Sequence, residues 1–158
     1  VHAGNNLDIQ EFMIRPERTE SFSESIRRSF LVIQNLKDMV DTQNVGDEGG
    51  FAPNINSNEE ALELIVKAIE KSNYKPGQDL VICLDVAANE LINDKGDYSI
   101  QSKNFSSVKD NINYYKKLIS RYPIKSIEDP FAEEDWESWK KITSELGKDV
   151  QILSLIHI

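Results

Sequence analysis

The sequence predicts an α/β fold built on a parallel sheet. Three apolar segments typical of strands alternate along the chain with four amphipathic segments typical of helices. Residues 80–84 are apolar throughout, as expected for a strand that is buried on both faces of a parallel sheet. One predicted helix separates them from the strand-like residues 124–127, and this order indicates a β-α-β unit, because parallel strands need such a crossover.

The first half of the chain contains one predicted strand and two predicted helices. Residues 7–14 are rich in Ile, Phe and Met, but Gln10 and Glu11 lie in their middle. Apolar residues at three- and four-residue steps predict a helix over about residues 21–40. A second helix is predicted to begin near residue 57. Both starts have capping-box spacing, with Ser followed three residues later by Glu.

The second half repeats this pattern. An apolar stripe from Val108 to Tyr122 predicts a third helix, which Pro123 ends. A fourth helix carries two tryptophans, and Gly147 is its predicted C-cap. Residues 93–99 are expected to form a small excursion in the loop after the strand at residues 80–84.

The charge of the chain limits its partners. The 158 residues include 18 Lys and Arg against 27 Asp and Glu, a net charge of -9. We therefore expect no broad nucleic-acid or anionic-membrane surface, since both require basic patches. A divalent cation remains compatible with this charge. The single cysteine, Cys83, fits a reducing cytosol.

The ends of the sequence give little information on targeting. No apolar stretch is long enough to span a bilayer, and no signal peptide is recognisable. The first residue is Val1 rather than Met, so we expect the chain to begin within a longer protein.

A glycine-rich acidic loop is the most distinctive local feature. The run NVGDEGGFAPN, residues 44–54, places Asp47 and Glu48 among three glycines before a proline, so it cannot form a helix or a regular strand. An irregular loop that presents two carboxylates is a plausible place for proton transfer. An acidic turn without a catalytic role is the alternative.

Two further acids follow predicted strands. Asp85 and Glu128 each come at the carboxyl end of a strand, one crossover apart, where parallel α/β folds collect their active sites. Paired carboxylates of this kind suit Mg²⁺. Either acid alone could instead be an N-cap or a solvated loop residue. Glu11 is costly within an apolar strand unless it faces a polar cavity, although it could also point to solvent.

Several segments together resemble enolase, the phosphopyruvate hydratase family. Besides the glycine-rich loop, these are HAGNNLDIQEFMI (2–14), LDVAANE (84–90) and YPIKSIEDPFAEEDWESW (122–139), in the order of the family. The resemblance extends from residue 1 to about residue 152. It implies a fragment of the C-terminal domain, a partial TIM-type (β/α)8 barrel with an antiparallel strand in its first half. The fragment would supply strands two to four, a start on the fifth, and about four helices.

The resemblance also implies roles for individual residues. Glu48 matches the acid that assists the departure of the C3 hydroxyl when 2-phosphoglycerate becomes phosphoenolpyruvate. Gln10 and Glu11 match substrate-contacting positions, with Glu11 supporting Glu48. Asp85 and Glu128 match two of three magnesium ligands. The remaining matches are His2, on a substrate-closing loop, and Asp47, an acid behind the site. A cytoplasmic parent that is dimeric or octameric is implied too, and the family also has surface or secreted pools.

Part of the family pattern is missing from the sequence. Residues 153–158, LSLIHI, contain no acid where the third metal ligand is expected, and no residue matches the base lysine. We therefore expect residues 1–152 to form the barrel segment, residues 153–158 to be an added or sequencing extension, and the fragment alone to be inactive. A binding or adhesion role, or another magnesium-dependent acid dehydratase of the superfamily, are the alternatives.

Overall fold

The protein is represented by a computed structural model that describes residues 7–42 and 44–158. Within this part of the chain, no helix is long and apolar enough to cross a membrane. In chain order the helices and strands are β1 (Glu11–Pro16), α1 (Phe22–Lys37), α2 (Asn58–Lys71), β2 (Leu80–Asp85), β3 (Tyr98–Ile100), β4 (Lys103–Phe105), α3 (Val108–Arg121), β5 (Ile124–Glu128), α4 (Trp136–Leu146) and β6 (Gln151–Leu153).

A mixed four-stranded sheet forms the centre of the fold, in the order β1-β2-β5-β6. β2, β5 and β6 run parallel, and α3 and α4 are the crossovers between them. β1 pairs with β2 in the antiparallel direction. The predicted α/β class and the β-α-β unit are therefore confirmed, as is the antiparallel strand implied by the resemblance. Among the described residues the sheet does not close into a barrel.

The helices begin where their caps predict. Ser21 Oγ accepts a hydrogen bond from the main-chain N–H of Glu24 at 3.2 Å, and Ser57 does the same for Glu60 at 3.1 Å. α1 ends at Lys37, three residues before the predicted end, because the chain tightens into a turn in which Met39 N–H donates to the Leu36 carbonyl. Gly147 is the C-cap of α4, as predicted.

Two elements differ from the sequence-based expectation. Residues 7–10 are not part of the first strand, which begins only at Glu11, so Glu11 opens β1 and does not lie within it. The excursion after β2 turns at Gly96, as expected, but continues into the hairpin β3–β4. Its strands have three residues each, too few for a period-two pattern to be recognised.

The core lies on both faces of β2, all six residues of which are buried. Ile82 in this strand is 0% exposed, whereas Ile26 on the outer face of α1 is 55% exposed. We expect Ile82→Ala to lower the free energy of unfolding by about 2–5 kcal/mol, because it leaves a cavity among packed side chains. The chemically identical control Ile26→Ala should change it by only about 0.5 kcal/mol. Urea denaturation measures both, and equal effects would contradict this assignment of the core.

Candidate active site

A row of side chains crosses the sheet at the carboxyl ends of its parallel strands. In the strand registers, Asp85 of β2 lies opposite Glu128 of β5, and Glu128 lies opposite Leu153 of β6. Because β1 is antiparallel, its first residue, Glu11, lies opposite Asp85 on the other side. The sheet thus brings three carboxylates that are far apart in sequence to one edge.

Asp85 is held in place by hydrogen bonds although it is only 8% exposed. Its Oδ1 accepts from the main-chain N–H of Ala87 at 3.1 Å, and its Oδ2 accepts from Gln10 Nε2 at 3.1 Å. Burial raises the pKa of Asp85, and the nearby Asp129 and Glu48 carboxylates act in the same direction. Ala87, the donor of one of these hydrogen bonds, has a left-handed φ of 48°, a strained conformation for alanine.

Asp129 adds a third carboxylate that the sequence analysis did not assign. Oxygen atoms of Asp85, Glu128 and Asp129 all lie within 4.8 Å of one another. Asp129 is 8% exposed, and its carboxylate accepts hydrogen bonds from the main-chain N–H groups of Leu155 and Ile156. The sequence could have indicated Asp129, because it forms a pair of adjacent acids with Glu128 directly after the predicted strand at residues 124–127.

The donor set fits a hard divalent cation. Burial raises the pKa of Glu128, and the carboxylates of Asp85, Asp129 and Glu48 raise it further. Crowded carboxylates with raised pKa values carry a cost of ionisation that a bound cation would relieve. All the ligand atoms are oxygens, which Mg²⁺ prefers. The residues present could therefore hold such a metal.

The glycine-rich loop folds as a short hairpin over this edge. An isolated bridge joins Val45 to Phe51, Gly46 N–H donates to the Gly50 carbonyl at 2.8 Å, and Gly49 has a φ of 82°. The predicted irregular loop is confirmed. Its turn presents Asp47 and Glu48, both exposed.

Two contacts join the loop to the sheet. Glu48 Oε1 accepts from Gln10 Nε2 at 3.1 Å, so the Gln10 amide connects Glu48 with Asp85. A Cβ atom on Gly50 would lie only 3.1 Å from Glu11 Oε2, a close approach that favours glycine. Of the predicted site residues, Gln10, Glu48, Asp85 and Glu128 are therefore brought together around a cavity of about 420 Å³. Glu11 borders this group, and His2 lies outside the described residues.

His157, to which the sequence assigned no role, packs beside the site. Its Nδ1 is 2.5 Å from Ser154 Oγ and its Nε2 is 2.6 Å from the Glu133 carbonyl oxygen. Its ring centroid is 4.4 Å from that of Trp136. These contacts hold the last residues of the chain against the loop that follows β5.

Two comparisons with known proteins bear on the family of this chain. Residues 1–155 match the family model described as the enolase C-terminal TIM barrel domain. The fold and the row of carboxylates thus define a segment of a TIM-barrel domain with its acidic groups at the strand ends. The enolase of Pelagibacter ubique (strain HTCC1062) is 55% identical over 157 residues, and the alignment covers 97% of this chain. This chain belongs to the enolase family. It spans 37% of the length of that relative.

Proposed function

We propose that this chain is part of a phosphopyruvate hydratase, a lyase that reversibly dehydrates 2-phosphoglycerate to phosphoenolpyruvate in glycolysis and gluconeogenesis. The observation that carries this proposal is the Gln10 amide, which joins Glu48 of the glycine-rich loop to Asp85 in the carboxylate row. Membership of the enolase family supports the reaction class, and the cluster of acids beside Glu48 supports a metal-assisted reaction.

We assign two different roles to the described acids, namely metal binding and proton donation. Asp85 and Glu128 would hold Mg²⁺, and the Asp129 carboxylate lies in the same cluster. A bound magnesium would stabilise the negative charge that develops on the substrate carboxylate. Without a cation, this acidic edge would repel an anionic substrate.

Glu48 is proposed as the general acid for the leaving hydroxyl. Hydroxide is a poor leaving group, so its departure needs a positioned proton donor. Glu48 is exposed at the tip of its turn, and the Gln10 amide fixes one of its oxygens. Gln10, Glu11 and His2 would contact the substrate, and Asp47 would support the loop. None of the matched positions supplies the base.

We further propose that residues 1–152 are the barrel segment and that residues 153–158 are foreign to it. Leu153 lies opposite Glu128 in β6, at the position where the resemblance implies a third acid. Asp129 binds main-chain amides of these last residues. The whole protein would be a cytoplasmic dimer or octamer.

The isolated chain should not turn over 2-phosphoglycerate, because none of its residues matches the base lysine. It should bind Mg²⁺ only weakly, because Leu153 stands where the resemblance implies the third metal ligand. Replacing the matching segment of the Pelagibacter ubique enolase with residues 1–152 of this chain should give an active graft. Formation of phosphoenolpyruvate, followed by its ultraviolet absorbance, measures turnover by the isolated chain and by the graft.

The unmodified relative is the control for the graft, and circular dichroism verifies that the graft is folded. Turnover of 2-phosphoglycerate by the purified isolated chain would contradict the proposal that this chain lacks the catalytic base. A folded graft without activity would contradict the proposed function of these residues.

A further inference from the structure

The turn between β3 and β4 is strained and needs support from outside the hairpin. Its two residues, Gln101 and Ser102, have left-handed φ values of 52° and 60°. Two-residue turns with these angles favour Asn and Gly, because a Cβ atom lies close to the following carbonyl oxygen in this conformation, and only Gly and, to a lesser degree, Asn and Asp adopt it readily. A Gln-Ser turn therefore depends on contacts with other parts of the chain.

Two carboxylates supply these contacts. The main-chain N–H of Gln101 donates a hydrogen bond to Asp8 Oδ2. The Gln101 side-chain Nε2 donates to Glu59 Oε2, in the first turn of α2, at 3.0 Å. Hydrogen bonds to an ionised carboxylate are roughly twice as strong as neutral ones. Asp8 thus fastens the tip of the hairpin to the segment that precedes β1.

The hairpin is itself anchored in the core. Tyr98 and Ile100 of β3 are buried. The Tyr98 hydroxyl donates to Asp135 Oδ2 at 2.9 Å and accepts from the main-chain N–H of Ala132 at 2.9 Å. The hairpin is therefore a fixed support, and a side chain bound to its tip is fixed as well.

The segment held by Asp8 carries the residue that connects the two parts of the site. Ile9 is 0% exposed, and Gln10 follows it directly. Since Asp8 is bound to the hairpin and Ile9 is packed in the core, the main chain at Gln10 is fixed although it lies outside β1. Its amide can then donate to Glu48 and Asp85 together.

We propose that Asp8 is a positioning residue of the acidic site, which holds residues 8–10 against the β3–β4 hairpin so that Gln10 spans Glu48 and Asp85. Any consequence of this positioning for catalysis rests on the proposed function. The positioning of Gln10 by Asp8 does not rest on it and can be measured on the isolated chain.

The test separates positioning from simple stabilisation of the turn. Asp8→Ala should lower stability and also free Gln10. Ser102→Gly relieves the left-handed strain without removing a hydrogen bond of Gln101, so the double variant Asp8→Ala/Ser102→Gly should regain stability while Gln10 stays free. The readout is the solvent exchange of the Gln10 side-chain amide by NMR, with the resonance identified by its loss in Gln10→Met.

Exchange of the Gln10 amide should be about tenfold faster in both Asp8→Ala and the double variant. Both variants lose the hydrogen bond between the Asp8 carboxylate and the main-chain N–H of Gln101, which holds the segment before Gln10. The control Glu59→Gln, which weakens the other contact of the turn, should leave this exchange at the wild-type rate. Wild-type exchange in the double variant would overturn the proposal, because Asp8 would then only stabilise the turn.

A second variant covers the case in which Asp8→Ala does not fold. Asp8→Asn keeps the shape and one acceptor oxygen but loses the charge, so it should accelerate Gln10 exchange in the same direction by a smaller factor. Unchanged exchange in this variant would then overturn the proposal. Turnover by the graft tests the proposed function separately, so an active graft with unaffected Gln10 exchange would refute the role of Asp8 alone.

Discussion

Replacing Glu48 by Gln in the active graft should lower kcat for 2-phosphoglycerate dehydration by about 10²–10⁴-fold, the usual contribution of a positioned proton donor. Glutamine keeps the length and one oxygen of the side chain, so it can still accept the hydrogen bond from Gln10 Nε2. It cannot donate a proton to a leaving hydroxide. The measurement is the kcat of the purified variant at saturating substrate and magnesium.

The control is Glu134→Gln, which removes one exposed carboxylate outside the cavity. It should retain kcat, which shows that loss of charge alone is not the cause. The effect of Glu48→Gln should also fall mainly on kcat, and its effect on magnesium affinity should be smaller than that of replacing a metal ligand, because Glu48 lies outside the metal-ligand cluster. A Glu48→Gln graft with undiminished kcat would contradict the role of this residue.

Neutralising either proposed metal ligand should weaken magnesium binding strongly. Asp85→Asn and Glu128→Gln in the graft should each raise the Kd for Mg²⁺ by at least about 10–100-fold, the loss that follows even from removing a hydrogen-bond partner of a ligand. Each substitution removes one negative charge from the cluster, in which carboxylate oxygens of three acids lie within 4.8 Å of one another. Isothermal titration with Mg²⁺ measures the change.

Glu90 provides a matched control for these two variants. It is an exposed acid that lines the same cavity but lies outside the cluster. Glu90→Gln lowers the local negative charge by the same amount, so its smaller effect on the Kd measures general electrostatics alone. Equal losses in all three variants would show that Asp85 and Glu128 attract the cation without coordinating it.

The parts of the fold that depend on local signals could be predicted from the sequence. Ser21 and Ser57 mark helix starts because a side-chain oxygen there satisfies a main-chain N–H that the helix leaves free. The uniform apolar run of β2 predicts burial on both faces. Asp85 and Glu128 could be assigned to one edge because the ends of adjacent parallel strands coincide.

The parts that depend on contacts between distant segments could not be predicted. Gln10 stood out as polar within an apolar segment, but its position outside β1 could not be predicted. The contact of the preceding Asp8 with the main chain of Gln101, 93 residues away, leaves no mark in the local sequence. Asp129 lies in the cluster and has a left-handed φ of 42°, a conformation that Asp tolerates but that its local sequence does not predict. The β3–β4 hairpin uses a Gln-Ser turn without the residues typical of such turns.

The magnesium dependence of the graft tests the central claim most directly, namely that Glu48, Asp85 and Glu128 of this chain form the acidic part of an enolase active site. The graft should dehydrate 2-phosphoglycerate, lose this activity when EDTA removes divalent cations, and regain it when Mg²⁺ is added. A folded graft whose turnover is absent, or persists unchanged in EDTA, would contradict the claim.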